Sequence, residues 1–365
     1  MREIKYHVFK NYADEVGSAD EREMYRILQQ RPELRKLRYE MTTFCDRVVE
    51  GTLYFGCTSF AGDFLLALEL ETGRITSCGY HRIREENEHK IHRGLWYDEN
   101  DHCLVFATST LSPLSKLSKA PGGRVMRYHP DSGEFEEVGK NEPGQYSQAT
   151  VYDASRRLLY MFNYRAMKFG VFDLSTGRMR HNPFLDSIPH ISALDDRGRC
   201  WATWEYDHYW CCFDPEKDDF IWFEKAMETA REAANVMYQG AGPVDAMING
   251  GDGFLYVGTA LGELYRLDPE TADSEYLGRP TPYRRLPGLA VGPDGAIYGA
   301  GGDRGFAYLM RYDRDAGRFQ NLGRIEAPDG TVCYRPHDLF IHDGRAFVAE
   351  TDVPYRSGFI WEITL

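Results

Sequence analysis

One phrase returns along the whole chain: an apolar strand, an acidic residue, a short turn, then a second strand. It reads LALELETGRI, VMRYHPDSGEF, GVFDLSTGRM, WCCFDPEKDDF, LYRLDPETADSEY and LMRYDRDAGRF, with Gly73, Gly133, Gly177 and Gly317 at the turn. Self-similarity of this kind marks a repeat architecture, because one unit cannot bury its own apolar face and must stack on the next.

A second phrase precedes the first in most units: HRGLWYDEN, SQATVYDAS, HISALDDRG, GLAVGPDG and HDLFIHDG. Counting back from Asp98, Asp153, Asp196, Asp294 and Asp343 by the same interval lands on His92, Ser147, His190, Gly288 and His337. In DAMINGGDG the turn carries one extra residue, which makes Asp245 the counterpart. Joined, the two phrases give four short strands per unit with regular turn punctuation, the pattern of an all-β fold. Units are expected at 42–80, 91–141, 145–183, 189–226, 242–280, 284–325 and 333–365. The last holds only three strands, and the β-like run at 4–9 has no partner of its own. Pairing the two removes exposed edges and closes a ring. The expectation is a single seven-bladed β-propeller domain over 1–365, with helical insertions at 18–37, from the capping box Ser18 to Glu21, and at the Ala-rich 225–238.

The net charge of −13 excludes a general affinity for nucleic acid or anionic membranes. No segment approaches the length of a membrane span, and MREIKYHVFKNYADEVG lacks the apolar stretch of a secretory signal. A cytoplasmic location is therefore expected, and the eight cysteines read as reduced. His208 with Cys211 or Cys212 offers a zinc alternative, with packing the expected role of both cysteines.

In an up-and-down blade, inner-strand starts and the turns between second and third strands lie at one end. The starts bring His92, Tyr146, His190, Asp245 and His337 toward a common funnel. The turns add Tyr164, Arg165, Tyr206, His208, Arg304, Tyr355 and Arg356. The second unit's long turn adds Lys116 and Lys119, in a stretch from His102 to Pro130 that has no acidic residue. Imidazoles in equivalent slots can move protons or hold a divalent metal at the funnel. Cations beside them suit an anionic small molecule, since guanidinium grips carboxylate through two bonds. Trp201, Trp204, Trp210 and Trp222 are assigned to the core.

Taken together, His92, Tyr146, Arg165 and the basic loop resemble the polysaccharide lyases built on seven-bladed propellers, the ulvan-lyase type. In compartment the chain is more similar to the oligogalacturonate lyases, which bind a divalent metal through propeller histidines. The resemblance implies β-elimination on uronic-acid-containing carbohydrates. His92 and Tyr146 would transfer protons, Arg165 would neutralise the uronate, and the other positions would bind substrate. The phrase LPGLAVGPDGAIYGAGG also looks like blades of metal-dependent sugar lactonases, with Asp245, Asp303 and Glu350 as candidate ligands. A propeller that only binds glycan or protein is the third reading.

Overall fold

The computed structural model describes residues 2–9, 30–164 and 166–365. The chain is almost entirely strand, arranged as successive antiparallel sheets. Five are four-stranded. The sixth is eight-stranded because the halves at 40–77 and 95–140 touch through one parallel pair, Cys45 with Leu95. The N-terminal strand Ile4–His7 runs antiparallel to Ile360–Thr364 and completes the last sheet.

The recurring acid has a local job. Asp173 Oδ1 accepts the Ser175 N–H at 2.8 Å, and Asp214, Asp268 and Asp313 do the same for Glu216, Glu270 and Ala316 at 3.0, 2.8 and 3.0 Å. The first three carboxylates thus close Asx turns, and Asp313 caps its turn one residue further on. Gly177 follows at φ +67°, where a side chain would be strained. The acid of the other phrase links sheets: Tyr152 Oη donates to Asp98 Oδ2 at 2.6 Å.

Between sheets the packing is apolar. Met41 and Phe55 share a core with Leu104 and Phe106 on one side and with Phe347 and Ile360 of the C-terminal sheet on the other. Ala300 and Leu309 pack in turn with Val348 and Trp361. The first and last sheets therefore meet, as in a propeller-type ring. Outermost strands such as Glu134–Lys140 are polar and partly exposed, which discourages pairing with a foreign strand.

Three local expectations change. The 225–238 stretch forms only a four-residue helix, Ala230–Ala233, because Ala234 is already extended. For 18–37, residues 18–29 lie outside the described residues, and Pro32–Leu37 is a 3-10 helix. Trp201 and Trp210 are fully buried, whereas Trp222 lies on an outer strand and is 40% exposed. All eight cysteines are free, and Cys211 and Cys212 are buried in neighbouring apolar clusters.

Candidate functional site

Four inner strands carry a register shift near their start, between Met41 and Thr43, Ser147 and Ala149, Val244 and Ala246, and Pro336 and Asp338. The residues left over are Thr42, Gln148, Asp245 and His337. A β-bulge leaves one residue unpaired and re-aims its side chain. Thr42, Gln148 and His337 line a cavity of about 780 Å³, together with His92 and His190 just ahead of their own inner strands.

The three imidazoles form a compact group. Ring centroids lie 5.1 Å apart for His92 and His190, 5.0 Å for His92 and His337, and 5.9 Å for His190 and His337. His92 Nδ1 is 2.7 Å from the Gln148 carbonyl, and His337 Nδ1 is 2.7 Å from the Thr42 carbonyl. Nδ1–H therefore donates in both rings, leaving Nε2 with its lone pair. His190 Nδ1 faces Asp245 Oδ1 at 3.6 Å. Burial, reinforced by Lys90 and His190, holds His92 well below the usual histidine range. Burial, with Arg93 and His92, does the same to His337. His190 falls to about 4, also by burial, with Asp245 opposing. All three rings are neutral at physiological pH.

Beneath them lies a buried ionic group. Arg285 grips Asp245 with Nε at 2.9 Å and Nη2 at 2.8 Å, and Arg93 Nη2 stands 3.6 Å from the same carboxylate. Burial pushes Asp245 upward, but Arg285 and His190 outweigh it and hold the group well below the usual carboxylate range.

The cavity rim is cationic. Arg38 pairs with Glu40 at 2.6 Å, and Arg335 spans Asp303 and Asp352 at 2.6 and 2.8 Å. Lys90, Arg284 and Arg304 are less committed. Lys90 Nζ has Gln148 Oε1 at 3.4 Å, and burial lowers its pKa to about 8. Arg304 is exposed and 4.0 Å from Asp303, and Arg284 is exposed with no carboxylate in ion-pair range among the described residues. Tyr238 also lines the cavity, edge-on to His190 at 6.2 Å, and burial pushes its phenol up.

Of the residues singled out in the sequence, His92, His190, His337 and Arg304 meet in this cavity; most others stand elsewhere. Tyr146 packs against Leu117 and Ala120, because its side chain follows the strand alternation just before the bulge. Asp245 is wholly buried behind His190 and supports the cavity wall without lining the cavity itself. Arg356 is buried against Glu350 at 2.6 Å with its guanidinium over Phe359. His208 is buried with Nδ1 on Ser187 Oγ at 3.1 Å. Lys116 pairs with Glu86 at 3.5 Å, and Lys119 and Tyr206 face solvent. Tyr164 stacks edge-on with Tyr238, and Tyr355 with Tyr334. Arg165 lies outside the described residues. The basic loop is largely neutralised: Arg124 is buried on Glu88 at 2.6 Å, and Arg127 pairs with Glu136. Sequence reasoning missed Lys90, Gln148, Tyr238, Arg284 and Arg335. Gln148 follows the counted slot by one residue, and only the bulge selects it over Ser147.

The donor set suits a divalent ion. The ring nitrogens of His92, His190 and His337 lie within 4.8 Å of one another. Their outer nitrogens face two carbonyls and a carboxylate, the partners that metal-bound histidines usually have.

Comparison with solved structures settles the kind of fold. Over 100% of both chains, at 13% identity and a TM-score of 0.67, the protein is similar to a catalytically inactive variant of virginiamycin B lyase from Staphylococcus aureus with quinupristin. A streptogramin B lyase structure matches at 16% identity and a TM-score of 0.61, over 90% of this chain and 93% of that one. The extracellular domain of the hybrid two-component system BT3049 from B. thetaiotaomicron aligns at 11% identity and a TM-score of 0.60, over 89% of this chain and 40% of the other. The likeness is one of fold. No protein-family model matches the chain, and neither does any curated protein. Two of these propeller-type neighbours are lyases. Neither an ulvan lyase nor an oligogalacturonate lyase is among them.

Proposed function

We propose that the chain is a seven-bladed propeller lyase that cleaves an anionic carbohydrate, of the uronic-acid class, by β-elimination in the three-histidine cavity. The observation that carries the reading is the set of neutral imidazoles beneath a cationic rim whose Lys90, Arg284 and Arg304 are only loosely engaged. β-Elimination beside a carboxylate needs a neutral base, an offset for the charge that develops on the carboxylate, and a donor for the leaving oxygen. His92 is the base of first choice, since its Nδ1–H is fixed on the Gln148 carbonyl and Nε2 keeps its lone pair. Lys90, Arg284 and Arg304 supply the positive charge that Arg165 was expected to give. Tyr238, protonated at neutral pH, takes the donor role first assigned to Tyr146.

The imidazole set favours one variant of this reading, a metal-assisted lyase. A divalent ion held by His92, His190 and His337 would act as a Lewis acid toward the carboxylate, and the proton would then go to a group other than His92. The carboxylate-liganded lactonase loses support, because Asp245, Asp303 and Glu350 are engaged by Arg285, Arg335 and Arg356.

The test is incubation with uronate oligosaccharides, read by the ultraviolet absorbance of the new conjugated double bond. Quinupristin, found with one structural neighbour, is assayed in parallel. Unsaturated product that disappears in His92→Ala supports the proposal. Cleavage of quinupristin alone would move the substrate class, and no product from either would leave a binding propeller.

A further inference from the structure

The channel continues past the histidines. Arg93 lies across it, with Nη1 donating to the Pro287 carbonyl at 2.8 Å, and beyond it opens a second cavity of about 330 Å³ at the opposite mouth. This volume is at the small end of ligand cavities, which run from about 300 to 1,000 Å³. Its wall is apolar, from Leu95, Ile191, Met247 and Leu289 among others.

Two polar side chains in that wall carry buried atoms without hydrogen-bond partners. Arg93 is 3% exposed, and its Nε and Nη2 are buried with no acceptor in range. Ser192 is also 3% exposed, with its Oγ in the same condition. Buried polar groups are normally satisfied, and leaving one unmade costs about 1–3 kcal/mol, more for a charge. The nearest carboxylate to Arg93 is Asp245 at 3.6 Å, and Arg285 already grips it through both oxygens. On the cavity side Asp338 also faces Arg93 electrostatically, while the acids there accept hydrogen bonds from backbone amides. Asp338 accepts from Phe44 at 2.8 Å and Leu339 at 2.9 Å, and Asp46 accepts from Tyr97 at 2.8 Å.

We infer that this cavity is a second ligand site, selective for a small monocarboxylate with a short branched apolar body. The carboxylate accepts from Arg93 and Ser192, and the body packs on the aliphatic wall. A neutral amide of the same shape offers the Nε and Nη2 N–H groups a single uncharged oxygen where the carboxylate offers two charged ones, so charge sets the selectivity. The inference stands apart from the reaction in the histidine cavity and survives if that reaction is assigned wrongly.

The test uses the full chain with isobutyrate as probe and isobutyramide as its neutral counterpart, by titration calorimetry and by a crystal structure of the soaked protein. Isobutyrate should bind with one-to-one stoichiometry, at least about tenfold more tightly than the amide. Ser192→Ala, a small change within the wall, should lower isobutyrate affinity several-fold with the fold intact, and Arg93→Met should abolish binding. Should Arg93→Met fail to fold, Ser192→Ala and the amide comparison still decide the matter. Equal affinity for acid and amide, an unchanged Ser192→Ala, or density showing only water at Arg93 would overturn the inference. So would isobutyrate located solely among the histidines.

Discussion

Asp245→Ala is the substitution whose consequences follow most directly from the structure. Asp245 is wholly buried and is the shared counter-charge of Arg285, whose side chain is 11% exposed, and Arg93, at 1%. Removing one partner of a buried pair leaves an uncompensated charge, and such changes cost about 3–5 kcal/mol. Here two guanidiniums lose the same carboxylate, so the upper part of that range is expected. Asp245→Asn keeps an acceptor in place and should cost less, about 1–3 kcal/mol. Urea unfolding, with midpoints compared at unchanged slope, measures both.

The pH dependence supplies an internal check. Folding lowers the pKa of Asp245 below its unfolded value of about 3.9. Its contribution is therefore present above that value and disappears as pH falls from about 4 toward the folded pKa. Asp245→Asn should flatten this acid limb of the stability curve. Asp245→Leu combined with Arg285→Met should recover much of the loss, since an apolar pair of similar volume often matches a buried ion pair. A loss below about 1 kcal/mol in Asp245→Ala, or an acid limb unchanged in Asp245→Asn, would refute the reasoning.

Three further outcomes are expected. Arg356→Met should destabilise by about 3 kcal/mol or more without touching the cavity, because Glu350 is left buried with only the Tyr334 and Phe359 amides; equal effects on substrate affinity and stability would contradict a purely structural role. Glu362, drawn down to about 2 despite burial by His7, Lys5 and Arg345, ties the N-terminal strand to the last sheet. Glu362→Gln should lower the free energy of urea unfolding at pH 7 by about 1–2 kcal/mol, and this difference should vanish as pH drops from about 4 toward 2. The cluster of His92, His190 and His337 stays neutral in the folded state, so the unfolded chain takes up protons first as pH falls below about 6.5. Acidification should therefore cost stability from that point down, and the cost should shrink in His337→Gln.

Much of the fold was legible because repetition is a one-dimensional property. The acid and glycine of each turn act within a few residues of themselves, as Asp173 and Gly177 do, so their spacing reveals the hairpins. The alternation of apolar residues gives the strands, and three-strand bookkeeping at the C-terminus points to the N-terminal run that pairs with Ile360–Thr364. The equivalence of His92, His190 and His337 followed from the same counting, and their rings lie within 6 Å of each other.

What the sequence could not convey is where a strand slips by one residue. The bulges at Thr42, Gln148, Asp245 and His337 exchange Ser147 for Gln148 at the cavity and leave Tyr146 facing the core, because a single extra residue inverts the side-chain alternation. Charge pairing was equally hidden. Arg124, Arg356 and Asp245 look available in a linear reading, yet each meets an opposite charge from a distant or folded-back segment and is withdrawn from ligand chemistry. The sequence by itself determined the repeating strands and the histidine slots, since both are set by local spacing. Which cations and hydroxyls remain free to act was decided only by tertiary structure, because desolvation and pairing depend on neighbours that the ring brings together.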